Sequence, residues 1–207
     1  MTSLIDLPFT GHRIFNGIAV FILFLSLLSY QAVAQETSVF LDLDTRLAGC
    51  MACHGEKGIS NSDMWPNLAG QQPRYLENQM IAFRDGSRLA PGKEAVMKDL
   101  SDVQIMQIAK YFSSLPHPEP SNQNVNKAGE RVRAYCVSCH GMTGNTVVPE
   151  WPNLAGQKRS YLVKQLLAYK SGERQHPLMN VITAEISEQN IDDVAEYYSQ
   201  IGISRPQ

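Results

Sequence analysis

The sequence is short of the features that mark most functional classes. It has no basic excess: 18 Lys and Arg stand against 20 Asp and Glu, for a formal charge of −2. Nothing is therefore left over to neutralise a phosphate backbone, which excludes a dedicated nucleic-acid binder. Charged residues make up only 18% of the 207 and hydrophobic residues 43%, too apolar for a disordered tail. Repeated apolar stretches of the ~20 residues needed to cross a bilayer are missing, so a multi-span membrane protein is excluded. Alternating strand patterns are nearly absent. So are a phosphate-binding glycine loop, a Ser-His-Asp set and paired carboxylates, which leaves hydrolytic chemistry without support. Cysteine is scarce too, at four residues, and those four positions direct the rest of the reading.

The N-terminus carries His12 and Arg13, then an apolar run of twelve residues from Gly17 to Leu28. Twelve residues at 1.5 Å rise do not cross a core of about 30 Å. The run suits the apolar part of a secretory signal, and Ala32-Val33-Ala34 supplies the small residues before a cut. Residues 1–34 are thus expected to be a signal peptide cleaved after Ala34, with the mature chain in the periplasm. An uncleaved anchor is the alternative, since Ile14, Phe15 and Tyr30 could lengthen the run. Cysteines of exported proteins ordinarily pair as disulfides, so pairs spaced closely along the chain need another explanation.

Sliding the sequence against itself gives one dominant offset, 86 residues, with no insertions. Cys50-Met51-Ala52-Cys53-His54-Gly55 falls on Cys136-Val137-Ser138-Cys139-His140-Gly141. Trp65-Pro66-Asn67-Leu68-Ala69-Gly70-Gln71 falls on an identical run, Trp151 to Gln157. Two homologous domains are expected, 35–115 and 127–207, joined by a Pro-rich linker over 116–126 that should be stiff and extended. Each repeat reads as helical. Ser101 and Gln104 resemble a capping box ahead of Ile105, Ile108, Ala109 and Phe112, which share one helix face. Ser187 opens the counterpart, with Ile191, Val194, Ala195 and Tyr198. A middle helix follows Gln72-Pro73 and ends near Gly86. Three short helices in some 70–80 residues make a thin core, marginal without a staple.

Cys-x-x-Cys-His supplies that staple, as the attachment signature for c-type haem. Cys50 and Cys53 would bond one porphyrin edge, Cys136 and Cys139 a second, giving two covalently bound haem c groups. His54 and His140 are carried beneath the irons as ligands. A thioredoxin-like pair would need a βαβ context, which is missing. A zinc site would leave the export signal and the repetition unexplained. His117 in the linker and His176 beside a better ligand are expected to be solvated.

Two such domains in one exported chain, each with CxxCH, the W-P-N-L-A-G-Q run and a Ser-capped last helix, resemble the dihaem cytochrome c4 family. The resemblance covers residues 35–207. It implies an all-α fold of two tandem cytochrome c-like domains, each wrapped around its haem. It implies that Pro66 and Pro152 offer their carbonyls to the ligand histidines, and that a methionine from a downstream loop closes the opposite face of each iron. The implied activity is electron transfer rather than catalysis, in a respiratory chain. A quinol-oxidising complex or dehydrogenase would stand upstream and a terminal oxidase downstream; peripheral association with a membrane is compatible with this. A small dihaem oxidoreductase acting at the first haem, or the cytochrome subunit of a dehydrogenase, are the alternatives.

The two repeats part at the second axial ligand. Met179 lies eight residues before Ser187, where the family's ligand belongs. At unchanged offset its counterpart is Lys93, eight residues before Ser101, and the nearby methionine is Met97. Register favours Lys93. Chemistry opposes it, because an amine must lose a proton to ligate, at about 4–5 kcal/mol at pH 7. Met97 avoids that cost but needs the loop redrawn by about one helical turn, roughly 5–6 Å. Lys93, Met97 and an iron open to other ligands all stand as alternatives.

Overall fold

The computed structural model describes residues 42–118 and 125–202. The expected signal peptide and residues 119–124 of the linker lie outside these. The chain falls into two compact units, Met1–Thr45 and Arg46–Gln207, and both CxxCH motifs belong to the second. Among the described residues every regular element is helical, in agreement with an all-α class. In order these are α1 (42–54), a 3₁₀ turn Glu56–Gly58, α2 (Pro73–Arg84), α3 (Lys93–Met97) and α4 (Asp102–Ser114). Then come α5 (Lys127–Val132), a 3₁₀ turn Arg133–Tyr135, α6 (Val137–His140), α7 (Arg159–Ser171), α8 (Pro177–Ala184) and α9 (Glu188–Gln200).

The last helix of each repeat forms as its sequence requires. The Ser101 hydroxyl accepts from the Gln104 N–H at 3.3 Å, and Gln104 Oε1 accepts from the Ser101 N–H at 2.8 Å, satisfying donors that the first turn leaves orphaned. The face behind the cap is buried: Ile105, Ile108, Ala109 and Phe112 in α4, and Ile191, Val194, Ala195 and Tyr198 in α9. Each large side chain so removed from water contributes roughly 1.5–3 kcal/mol. These helices serve as platforms. α4 carries α2, and α9 carries α5 and α7. Gly129 allows the close crossing of α5 on α9, since a Cβ there would lie 2.0 Å from the Asp193 carbonyl oxygen.

Two segments expected as loops are helices, α3 and α8. Pro177 sits in the first turn of α8, where its fixed φ is an advantage. Lys170 Nζ donates to the carbonyls of Thr183, Ala184 and Ile186 at 3.2, 3.1 and 2.8 Å, closing the far end of that helix. His176, expected to be solvated, is instead the cap of α8, its Nδ1 accepting from the Met179 N–H at 3.3 Å. His117 is also half-buried rather than solvated. Its ring stands so close to Gly70 that a Cβ there would be 2.7 Å away.

The repeats join through reciprocal hydrogen bonds that follow the sequence offset. Asn67 N–H donates to Gln157 Oε1 at 2.8 Å, Gln157 Nε2 donates to Asn67 O at 2.9 Å, and Asn67 Nδ2 donates to Gly156 O at 2.9 Å. The mirror set joins Asn153 to Gln71 at 2.7 Å, Gln71 Nε2 to Asn153 O at 3.0 Å, and Asn153 Nδ2 to Gly70 O at 3.1 Å. All four amide side chains belong to buried residues. The heptapeptide occurs twice in identical form and pairs with its own copy, an isologous contact inside one chain.

Candidate functional site

Both cysteines of the first motif lie in the last turns of α1; in the second, Cys136 is the N-cap of α6 and Cys139 lies within it. A spacing of i and i+3 puts the two sulfurs of each motif on one helix face, with the histidine following. The chain then turns sharply. Gly55 and Gly141 both have φ +81°, and a Cβ would stand 1.9 Å from the Ile59 carbonyl oxygen or 2.1 Å from that of Asn145. Only glycine serves after the histidine.

That turn brings the W-P-N-L segment back over the imidazole. His54 Nδ1 lies 2.9 Å from Pro66 O, and His140 Nδ1 lies 2.9 Å from Pro152 O. The carbonyl can only accept, so Nδ1 carries the proton and Nε2 keeps its lone pair. Burial is the main force pulling His54 down to about 4; the Lys93 charge adds to it and the Pro66 bond opposes it. His140 is lowered chiefly by burial as well. Both rings are therefore neutral at pH 7, the form a metal ion binds. No disulfide joins the four cysteines to one another, and burial pushes Cys136 up to about 11.

The four cysteines and both histidines line one cavity of about 560 Å³, together with Lys93, Met97 and Met179. Leu76, Phe83, Leu162 and Leu166 supply apolar wall. Arg88 and Arg174 stand at this cavity in a matched cluster. Arg174 Nη1 donates to Gln165 Oε1 at 2.7 Å and Nη2 to Gln79 Oε1 at 2.7 Å. Arg88 Nη2 donates to the same Gln165 oxygen at 2.6 Å and to the Tyr161 hydroxyl at 3.2 Å. Among the described residues neither guanidinium pairs with a carboxylate. A buried guanidinium facing only amides and phenols is short of negative charge. A flat apolar macrocycle with carboxylate arms, ligated at its centre and tethered at one edge, suits each part of this lining. The residues fit haem c. A lone zinc ion lacks its ligand set, since among the described residues no three His, Cys, Asp or Glu side chains gather to hold a metal.

The candidate second ligands occupy matching helices. Met179 lies in α8 two residues after Pro177, and Lys93 begins α3 two residues after Pro91. Lys93 Nζ is 2.9 Å from His54 Nε2 and 4.9 Å from the centre of the Trp65 ring. Met97 is buried one turn further along α3. Sequence reasoning missed the pairing of Asn67, Gln71, Asn153 and Gln157, and the Arg88–Arg174 cluster. The available signal was identity of polar residues between repeats at positions with no ligand role.

Comparison with known proteins follows the same outline. The cytochrome c family model matches residues 127–201, the second repeat. Cytochrome c-552 of Acidithiobacillus ferridurans is 33% identical over 87% of this chain and 87% of its own. A thiosulfate dehydrogenase electron acceptor of Stutzerimonas stutzeri is 31% identical over 74% of this chain and 79% of its own. Cytochrome c4 of Pseudomonas aeruginosa is 30% identical over 73% and 83%. The crystal structure of reduced cytochrome c4 from Pseudomonas stutzeri superposes with a TM-score of 0.72, at 28% identity, over 78% of this chain and 97% of that one.

Proposed function

The chain belongs to the dihaem cytochrome c4 family of electron-transfer proteins and holds two covalently bound haem c groups; from that premise we propose that it is a periplasmic carrier taking electrons from a dehydrogenase or quinol-oxidising complex and delivering them towards a terminal oxidase. Export follows from the signal read before Ala34, and the mature chain comprises domains 35–115 and 127–207 with the linker 116–126. Cys50 and Cys53 tether one haem with His54 as its ligand. Cys136 and Cys139 tether the other, ligated by His140 and Met179. Each haem supplies a one-electron iron couple.

The observation that carries this assignment is the duplicated imidazole geometry, with Nδ1 held on a proline carbonyl at 2.9 Å in both repeats around one cavity. Pro66 and Pro152 fix the rings, so the ligands need not move when the charge they face changes. Arg88 and Arg174 line the same cavity and would offer positive charge to haem carboxylates. A dehydrogenase is favoured as donor by the relative named a thiosulfate dehydrogenase electron acceptor, so an enzyme of that type is the first partner to assay.

The test is the purified ferrous and ferric protein challenged with carbon monoxide and peroxide, followed by stopped-flow reduction with a thiosulfate dehydrogenase. A carrier is inert to both reagents and is reduced in a saturable second-order step. Turnover of peroxide, or carbon monoxide binding at one haem, would move the assignment to an oxidoreductase.

A further inference from the structure

The geometry points to Lys93, rather than a methionine, as the side chain that ligates the first haem's iron opposite His54. This deepens the carrier assignment and rests on it. Three observations converge. The first is register: Lys93 opens α3 where Met179 lies in α8, each two residues after a proline and eight before a capping serine. The second is direction. Lys93 Nζ comes within 2.9 Å of His54 Nε2, the one nitrogen of that ring not engaged by Pro66. The third is the contrast with Met97. Its counterpart in the second repeat is Thr183; both residues are buried, and the Thr183 hydroxyl donates to Met179 O at 2.7 Å. Met97 lines the cavity but Thr183 does not, whereas positions 93 and 179 line it in both repeats and are half-buried in both.

Among the described residues Lys93 has no carboxylate partner; its contacts are the His54 nitrogen and the Trp65 ring. Two metal–nitrogen bonds in line, each about 2 Å, span more than the present 2.9 Å. To admit an iron the amine would have to withdraw by roughly 1 Å, within reach of a flexible four-carbon stem. Met97 lines the cavity as well, but it stands about 6 Å further along the helix and would have to cover that distance to reach the face opposite His54.

An amine favours ferric iron more than a thioether does. The two haems should therefore partition an electron unequally, by at least tenfold towards the His140/Met179 site, which for one electron is ~59 mV. The first haem then acts as donor to the second.

Near-infrared and low-temperature magnetic-resonance spectra of the ferric holoprotein test this directly. Wild type should show two different low-spin species, with the charge-transfer band of one His/Met haem only. Lys93→Met should double that band and bring the two potentials together; Lys93→Ala should make one haem high-spin; Met97→Leu should change nothing. If Lys93→Ala fails to fold, the Lys93→Met band alone decides. Two units of the band in wild type, unaltered spectra in Lys93→Met, or loss of a band in Met97→Leu would each overturn the assignment while leaving the carrier function standing. A mature mass without two haems would instead remove the carrier function itself.

Discussion

Gln157→Ala removes one half of the joint between the repeats, and its effect can be worked from the bonds it breaks. Gln157 Oε1 accepts from the Asn67 N–H at 2.8 Å and Nε2 donates to Asn67 O at 2.9 Å. Both groups lie in a residue only 6% exposed, so water does not readily replace the lost partner. A third bond, from the Lys158 N–H at 2.9 Å, is half-exposed and recovers water. An unsatisfied buried group costs about 1–3 kcal/mol, so the expected loss is ~2–4 kcal/mol once some relaxation is allowed. For a chain of this size that is roughly 5–15 °C in Tm. Gln71→Ala breaks the mirror pair to Asn153 at 2.7 and 3.0 Å, and should lose the same amount within about 0.5 kcal/mol. The double variant should lose less than the sum, because a joint opened on one side no longer holds the other in place. Urea unfolding of the holoprotein, followed by far-ultraviolet circular dichroism, measures all three. A loss below about 0.5 kcal/mol for either single variant, the level of an ordinary surface change, would refute the reasoning. So would a severalfold difference between the two.

Other consequences are equally direct. Gly129→Ala places a Cβ 2.0 Å from the Asp193 carbonyl oxygen, so α5 must lift from α9, and the stability read by urea unfolding should fall by at least as much as for a typical overpacked core site, about 1–3 kcal/mol. Arg174→Gln should destabilise the holoprotein and lower the second haem's potential, because a positive charge that disfavours ferric iron is removed; an unchanged potential would mean that the charge is screened from the site. Met179→Ala should open the second iron to carbon monoxide and leave the first haem's spectrum as it was, whereas an unchanged spectrum would show that Met179 is not a ligand.

What the sequence disclosed and what it hid divide along physical lines. α4 and α9 were legible because a serine cap and a four-residue apolar face coincide. The haem motifs were legible because Cys-x-x-Cys-His is dictated by covalent chemistry. α3 and α8 were not, since five and eight residues are too few for a periodic face, and Pro-Gly before Lys93 reads locally as a turn. They are helical because tertiary bonds, such as Lys170 on the carbonyls beyond Met179, hold them. The reciprocal amides were hidden for another reason. Asn67 and Gln157 are 90 residues apart, and nothing local distinguishes an amide that bonds a distant backbone from one that faces water. His117 and His176 were misread on the same account.

In the proposed function two covalent haems, each closed by protein ligands, exchange single electrons. The measurement that tests it most directly is a potentiometric titration of the purified protein, with electrons counted per chain from the optical spectrum. Two one-electron steps totalling two electrons, with neither haem altered by carbon monoxide, is the expected result. One electron per chain, or a step that shifts when carbon monoxide is added, would contradict it.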